Sequence, residues 1–104
     1  MANQGAGQGS TPMWASRSLA HAASMSEFVL YHRHCSGDCA AVFAAWNGFV
    51  SPLRGSQPMS TCVFGAHEIW WSVAAGDDRV ALALLPKYVA DRTVAIRVAA
   101  VEIP

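Results

Sequence analysis

The chain has 104 residues, room for one domain. Charged residues make up 13% of it, against about 25% in an ordinary soluble domain, and hydrophobic residues 53%; this is more apolar surface than one small core needs. Seven basic side chains balance seven acidic ones, with no basic stripe for nucleic acid and no run of about 18 apolar residues to span a membrane.

Residues 1–24 carry Gly5, Gly7 and Gly9, many small polar residues, one arginine and no acid, and read as a flexible extension. The folded domain is expected over 25–104. "SEFVLYHRH" (26–34) is rich in β-branched and aromatic residues and reads as a strand. In "SGDCAAVFAAWNGF", Ser36 is a candidate N-cap, Asp38 suits the positive end of a helix dipole and Gly48 is a candidate stop. Cys39, Val42, Phe43 and Trp46 fall at i, i+3, i+4, i+7, one apolar stripe. Pro52, Gly55 and Pro58 mark a loop. "MSTCVFGAHEIWWSV" has two strand-like halves around Gly65-Ala66, a hairpin with Gly65 supplying positive φ. Asp77 or Asp78 caps a second helix, Pro86 ends it, "PKYVADR" forms a short turn, and "TVAIRVAAVEI" (93–103) alternates as a last strand. The order β-α-β-β-α-β predicts an α+β, ferredoxin-like fold: a four-stranded antiparallel sheet with two helices on one face and the other face bare.

"EFVLYHRH" and "GAHEIWWSVAAGDDRVALALLPKYVADRTVAIRVAAVEI" resemble the dimeric α+β barrel superfamily, and "ALLPKYVADRTVAIRV" is similar to the LP-aromatic-x-x-x-R-x-x-V run that ends many such domains. The superfamily includes muconolactone isomerase-like enzymes, small cofactor-free monooxygenases, haem-degrading enzymes and stress-induced proteins. The resemblance implies a homodimer closed through the bare sheet face. It does not select a branch, because fold and activity vary independently.

Strand alternation sorts the side chains. If the apolar sets face the helices, Phe28, Leu30, Ile69, Trp71, Val73, Val94, Ile96 and Val98 form the core with Val42, Phe43, Trp46, Val80, Leu84 and Leu85. Tyr31, Arg33, Thr61, Val63, Glu68, Trp70, Ser72 and Arg97 are then on the open face. Two arginines with an aromatic floor suit a planar anion, held by charge-assisted hydrogen bonds and stacking. The competing reading is an Arg33–Glu68–Arg97 ion-pair network that only sets dimer register. If the faces are inverted, His32 and His34 enter the pocket as general-base candidates.

The stretch "YHRHCSGDC" raises the question of a metal. His32, His34, Cys35, Cys39, Cys62 and His67 match no standard zinc spacing, so no metal and no other cofactor is expected. Cys39 reads as a buried thiol, with a lowered pKa at a helix start as the reactive alternative, and His67 as a surface residue. An odd set of three cysteines without a secretory leader pattern reads as reduced thiols in a cytoplasmic protein. The functional expectation is a homodimer that binds a small anionic or aromatic molecule without metal, nucleic acid or membrane. Conversion of that molecule is an extension in which Glu68 or a histidine moves a proton. The alternative is a non-catalytic self-association or stress-related module.

Overall fold

The computed structural model describes residues 25–104. The expected extension over 1–24 lies outside the described residues. Strand β1 (Ser26–Arg33) leads through a 3-10 turn (Ser36–Asp38) into helix α1 (Cys39–Ala44). A loop reaches the short strand β2 (Met59–Ser60), followed by a second 3-10 turn (Cys62–Phe64) and strand β3 (Glu68–Ala75). Helices α2 (Asp78–Leu82) and α3 (Lys87–Ala90) precede strand β4 (Thr93–Val98). The protein is α+β, with one four-stranded antiparallel sheet in the order β2-β3-β1-β4.

Local chemistry accounts for most of these boundaries. Asp77 caps α2 by accepting a 2.8 Å hydrogen bond from the Val80 amide. Pro86 separates α2 from α3, since it lacks the amide that would continue the helix. Gly65 sits at φ 93° and ends the second 3-10 turn in a conformation that L side chains resist.

Three expectations are corrected. Ser36 lies inside the 3-10 turn; Cys35 occupies the cap position without a side-chain bond. The hairpin is not tight: β2 ends at Ser60, the Thr61 amide still donates to the Glu68 carbonyl at 3.0 Å, but the Glu68 amide returns to the Thr61 hydroxyl at 3.1 Å, and Cys62, Val63 and Phe64 coil into a turn. Strand β4 ends at Val98, so residues 99–103 lie beyond it.

The core lies between the helices and one sheet face. Phe28 and Leu30 of β1 and Ile69, Trp71 and Val73 of β3 are buried with Val42, Ala81, Leu85 and Val89 from the helical side. Trp46 packs at the margin, its ring centroid 6.0 Å from that of Trp71. Phe43 and Val80, expected inside, are 58% and 50% exposed.

The largest correction concerns β4. Its register places Thr93, Ala95 and Arg97 opposite His32, Leu30 and Phe28, on the helix side. Val94, Ile96 and Val98 are paired with Tyr31, Val29 and Glu27 and are 59%, 45% and 39% exposed on the open face. Thr93 anchors this register: its hydroxyl donates to the Val89 carbonyl at 2.7 Å, tying β4 to α3. Ala95 is small enough to lie beneath the helices, packed against the core. The rule that apolar positions face the helices fails here because both faces of the sheet are apolar.

Candidate functional site

Two groups of side chains stand out, one on each side of the sheet. On the open face, β1 contributes Glu27, Val29, Tyr31 and Arg33, every second residue. Tyr31 lies opposite Trp70 in the ladder, their rings 5.5 Å apart and tilted. The Tyr31 hydroxyl donates to Glu68 Oε2 at 2.5 Å. This bond holds the phenol pKa above its ordinary value of 10.0, reinforced by burial and the Glu68 charge and opposed by Arg33. Arg33 lies opposite Glu68, yet Lys87–Asp91 is the ion pair formed among the described residues. The competing Arg33–Glu68–Arg97 ion-pair network is therefore not formed among them. Four of the expected ligand residues, Tyr31, Arg33, Glu68 and Trp70, share this face. Arg97 does not: it is on the helix side opposite Phe28, near Asp77 and Asp78 at the start of α2.

His32 and His34 also belong to the helix side. His32 is fully buried. Its Nδ1 lies 3.0 Å from Thr93 Oγ1 and 3.3 Å from the Val89 carbonyl. Because the Thr93 proton is already directed at that carbonyl, its oxygen accepts and His32 Nδ1 must carry the hydrogen. His32 Nε2 is then an acceptor, 3.0 Å from His34 Nδ1, which must donate. The relay fixes His34 Nε2 as a bare lone pair. Burial holds both imidazoles below their ordinary pKa. For His32 the neighbouring His34 adds to the shift and the Val89 carbonyl opposes it; for His34, His67 adds and Asp38 opposes.

The lone pair meets two thiols. Cys39 Sγ is 3.3 Å from His34 Nε2 and 3.2 Å from His67 Nδ1, and Cys62 Sγ is 3.8 Å from His34 Nε2. One ligand atom each from His34, Cys62 and His67 lies within 4.8 Å of the others. Each side chain arrives for a local reason. The β1–β3 ladder continues one step past its last pair through a 3.0 Å bond from the His34 amide to the His67 carbonyl, so the two imidazoles share a side. Cys39 is the first residue of α1, and Cys62 opens the turn that Gly65 closes. All four residues are half-buried, so His67 is not simply a surface residue and Cys39 faces imidazoles rather than a dry core. Cys35, by contrast, is exposed.

The sequence held a signal for this cluster that zinc-finger spacings do not capture. His34 and Cys39 are five apart, Cys62 and His67 are five apart, and the two halves are mirror images. No family model, curated protein or solved structure matches this chain.

Proposed function

We propose that this is a ferredoxin-like domain that pairs with a second copy of itself through the open sheet face and holds a small anionic or aromatic molecule in the space so enclosed. The antiparallel β2-β3-β1-β4 order supports the fold reading, since a split βαβ unit strings its strands in that order. One observation carries the association: Val94, Ile96, Val98 and Met59 lie exposed beside Tyr31 and Trp70 on a sheet face with nothing over it among the described residues. A face of this kind stays in water only at the cost of its apolar area.

The charges favour a second copy as the occupant. The open-face row of β1 runs Glu27, Val29, Tyr31, Arg33, with opposite charges at its two ends and apolar residues between. A two-fold axis lying in the interface at right angles to β1 turns this row end for end, bringing Glu27 towards the partner's Arg33. Neither residue has an ion pair among the described residues. Arg33 and the Tyr31–Trp70 rings then supply a cation and flat apolar walls for an aromatic carboxylate, with the Tyr31–Glu68 pair as the polar group beside it.

Sedimentation across a wide concentration range tests the association. The wild type is expected to be a dimer, Glu27→Arg or Arg33→Glu alone to weaken it, and the double exchange to restore it. A wild type that stays monomeric at high concentration refutes the reading. Thermal shift with benzoate and salicylate tests the ligand: stabilisation lost in Arg33→Ala and Trp70→Ala supports the pocket, and equal shifts in all three proteins remove it.

A further inference from the structure

We infer that His34, Cys62 and His67 are the core of a binding site for a thiophilic divalent cation, zinc being the best match, which Cys39 closes as the fourth ligand, at the end of the sheet opposite in face to the proposed dimer surface.

Geometry is the first argument. Zinc bonds of about 2.3 Å to thiolate and about 2.0–2.1 Å to imidazole place the ligand atoms of a tetrahedron roughly 3.3–3.8 Å apart. The separations of Cys39 from the two imidazoles are 3.2 and 3.3 Å and that of Cys62 from His34 is 3.8 Å. His34, Cys62 and His67 already converge, their ligand atoms all within 4.8 Å of one another, while Cys39 stands outside that group and is held to both imidazoles by weak thiol–imidazole hydrogen bonds; binding would draw it in.

The donor set is the second argument. Two thiolates and two neutral imidazoles cancel the charge of a divalent ion, and among the described residues no carboxylate joins the group to favour calcium or magnesium. Four protein ligands complete the tetrahedron and leave no open position for water, the signature of a structural rather than a catalytic centre. Such an ion would tie the start of α1 and the 62–64 turn to the ends of β1 and β3, adding to the β1–β3 ladder and the Thr61–Glu68 bonds.

A buried hydrogen-bond relay stands behind the site. A metal-bound histidine needs its second nitrogen to donate to a fixed acceptor, which orients the ring and fixes the tautomer. His34 Nδ1 has that acceptor in His32 Nε2, and His32 is itself held by Thr93 and the Val89 carbonyl. His32 is thus a positioning residue. It explains why a fully buried histidine occupies a core strand position where Val or Ile would pack without polar cost.

The test uses the wild-type full-length protein. Purified, metal-free and reduced, it is titrated with Co2+ and then Zn2+. One equivalent of cobalt is expected to give the strong visible bands of a tetrahedral centre and a thiolate charge-transfer band, both displaced by zinc. Thiol alkylation read by mass spectrometry follows without any substitution: zinc protects Cys39 and Cys62, while exposed Cys35 reacts in every sample and serves as the internal control. Cys39→Ser and Cys62→Ser, checked for fold by circular dichroism, are each expected to lose the charge-transfer intensity of one thiolate and at least tenfold in affinity. No cobalt spectrum and no zinc protection overturns the site. Protection of Cys62 alone overturns the four-ligand assignment.

Discussion

His32→Leu separates the two roles a buried histidine can have, stability and ligand orientation. The side chain has three hydrogen-bonding contacts: to Thr93 Oγ1 at 3.0 Å, to the Val89 carbonyl at 3.3 Å and to His34 Nδ1 at 3.0 Å. Removing it leaves no buried group without a partner. The Val89 carbonyl keeps the 2.7 Å bond from Thr93, whose donor stays used, and half-buried His34 can turn its Nδ1 hydrogen to water. The expected loss is therefore the net worth of neutral hydrogen bonds, offset by an apolar side chain of similar size, about 1–2 kcal/mol in urea unfolding of the metal-free protein. Zinc affinity should fall further, by about 10- to 100-fold, because the ring of His34 loses the acceptor that fixes its tautomer. Competition against a chromogenic chelator measures the affinity. Long-range 1H–15N spectra of the metal-free wild type should show both His32 and His34 protonated on Nδ1. A His34 protonated on Nε2, or a folded His32→Leu that binds zinc as tightly as the wild type, would refute the relay.

Other expectations rest on single contacts. The Tyr31 phenol should titrate above the ordinary value of 10.0 and move back towards it in Glu68→Gln, read as phenolate absorbance against a Tyr88→Phe background. Because its folded pKa is raised, this phenol favours the fold up to the unfolded value, near pH 10, and that contribution changes only as the pH climbs from there through the folded pKa. Leu30→Ala, at a fully buried position between β3 and β4, should cost about 2–5 kcal/mol in urea unfolding. Ile96→Lys should leave the fold intact by circular dichroism yet abolish self-association, because Ile96 is 45% exposed on the open face; unfolding of this variant at any concentration would mean that β4 faces the helices after all. Gly65→Ala meets no atom within 4 Å but must adopt φ 93°, so a cost of about 1–2 kcal/mol is expected from backbone strain alone.

Short-range information in the chain was enough for much of the architecture. β-branched and aromatic runs marked β1, β3 and the start of β4; the Asp77-Asp78 pair marked the cap of α2, which the fold gives to Asp77, Pro86 the break before α3, and Gly65 the positive-φ turn. Each depends on interactions within a few residues, and the amino acids present decide them directly. The alternation of β1 also identified Tyr31 and Arg33 as neighbours on one face, a consequence of backbone pleating alone.

Which face of β4 turns inward depended on more than its own pattern. Val94, Ile96 and Val98 alternate with Ala95 and Arg97 in a way that reads equally well in either orientation once both sheet faces are apolar; the Thr93 bond to Val89 chose between them. The histidine–cysteine cluster was legible only as a mirrored spacing, not as a place in the fold. His34–Cys39 and Cys62–His67 lie in separate segments, and only the β1–β3 register, which sets His34 beside His67, brings the two pairs together. Side-chain type and local spacing are written in the chain, whereas convergence of distant segments is a property of the packed sheet.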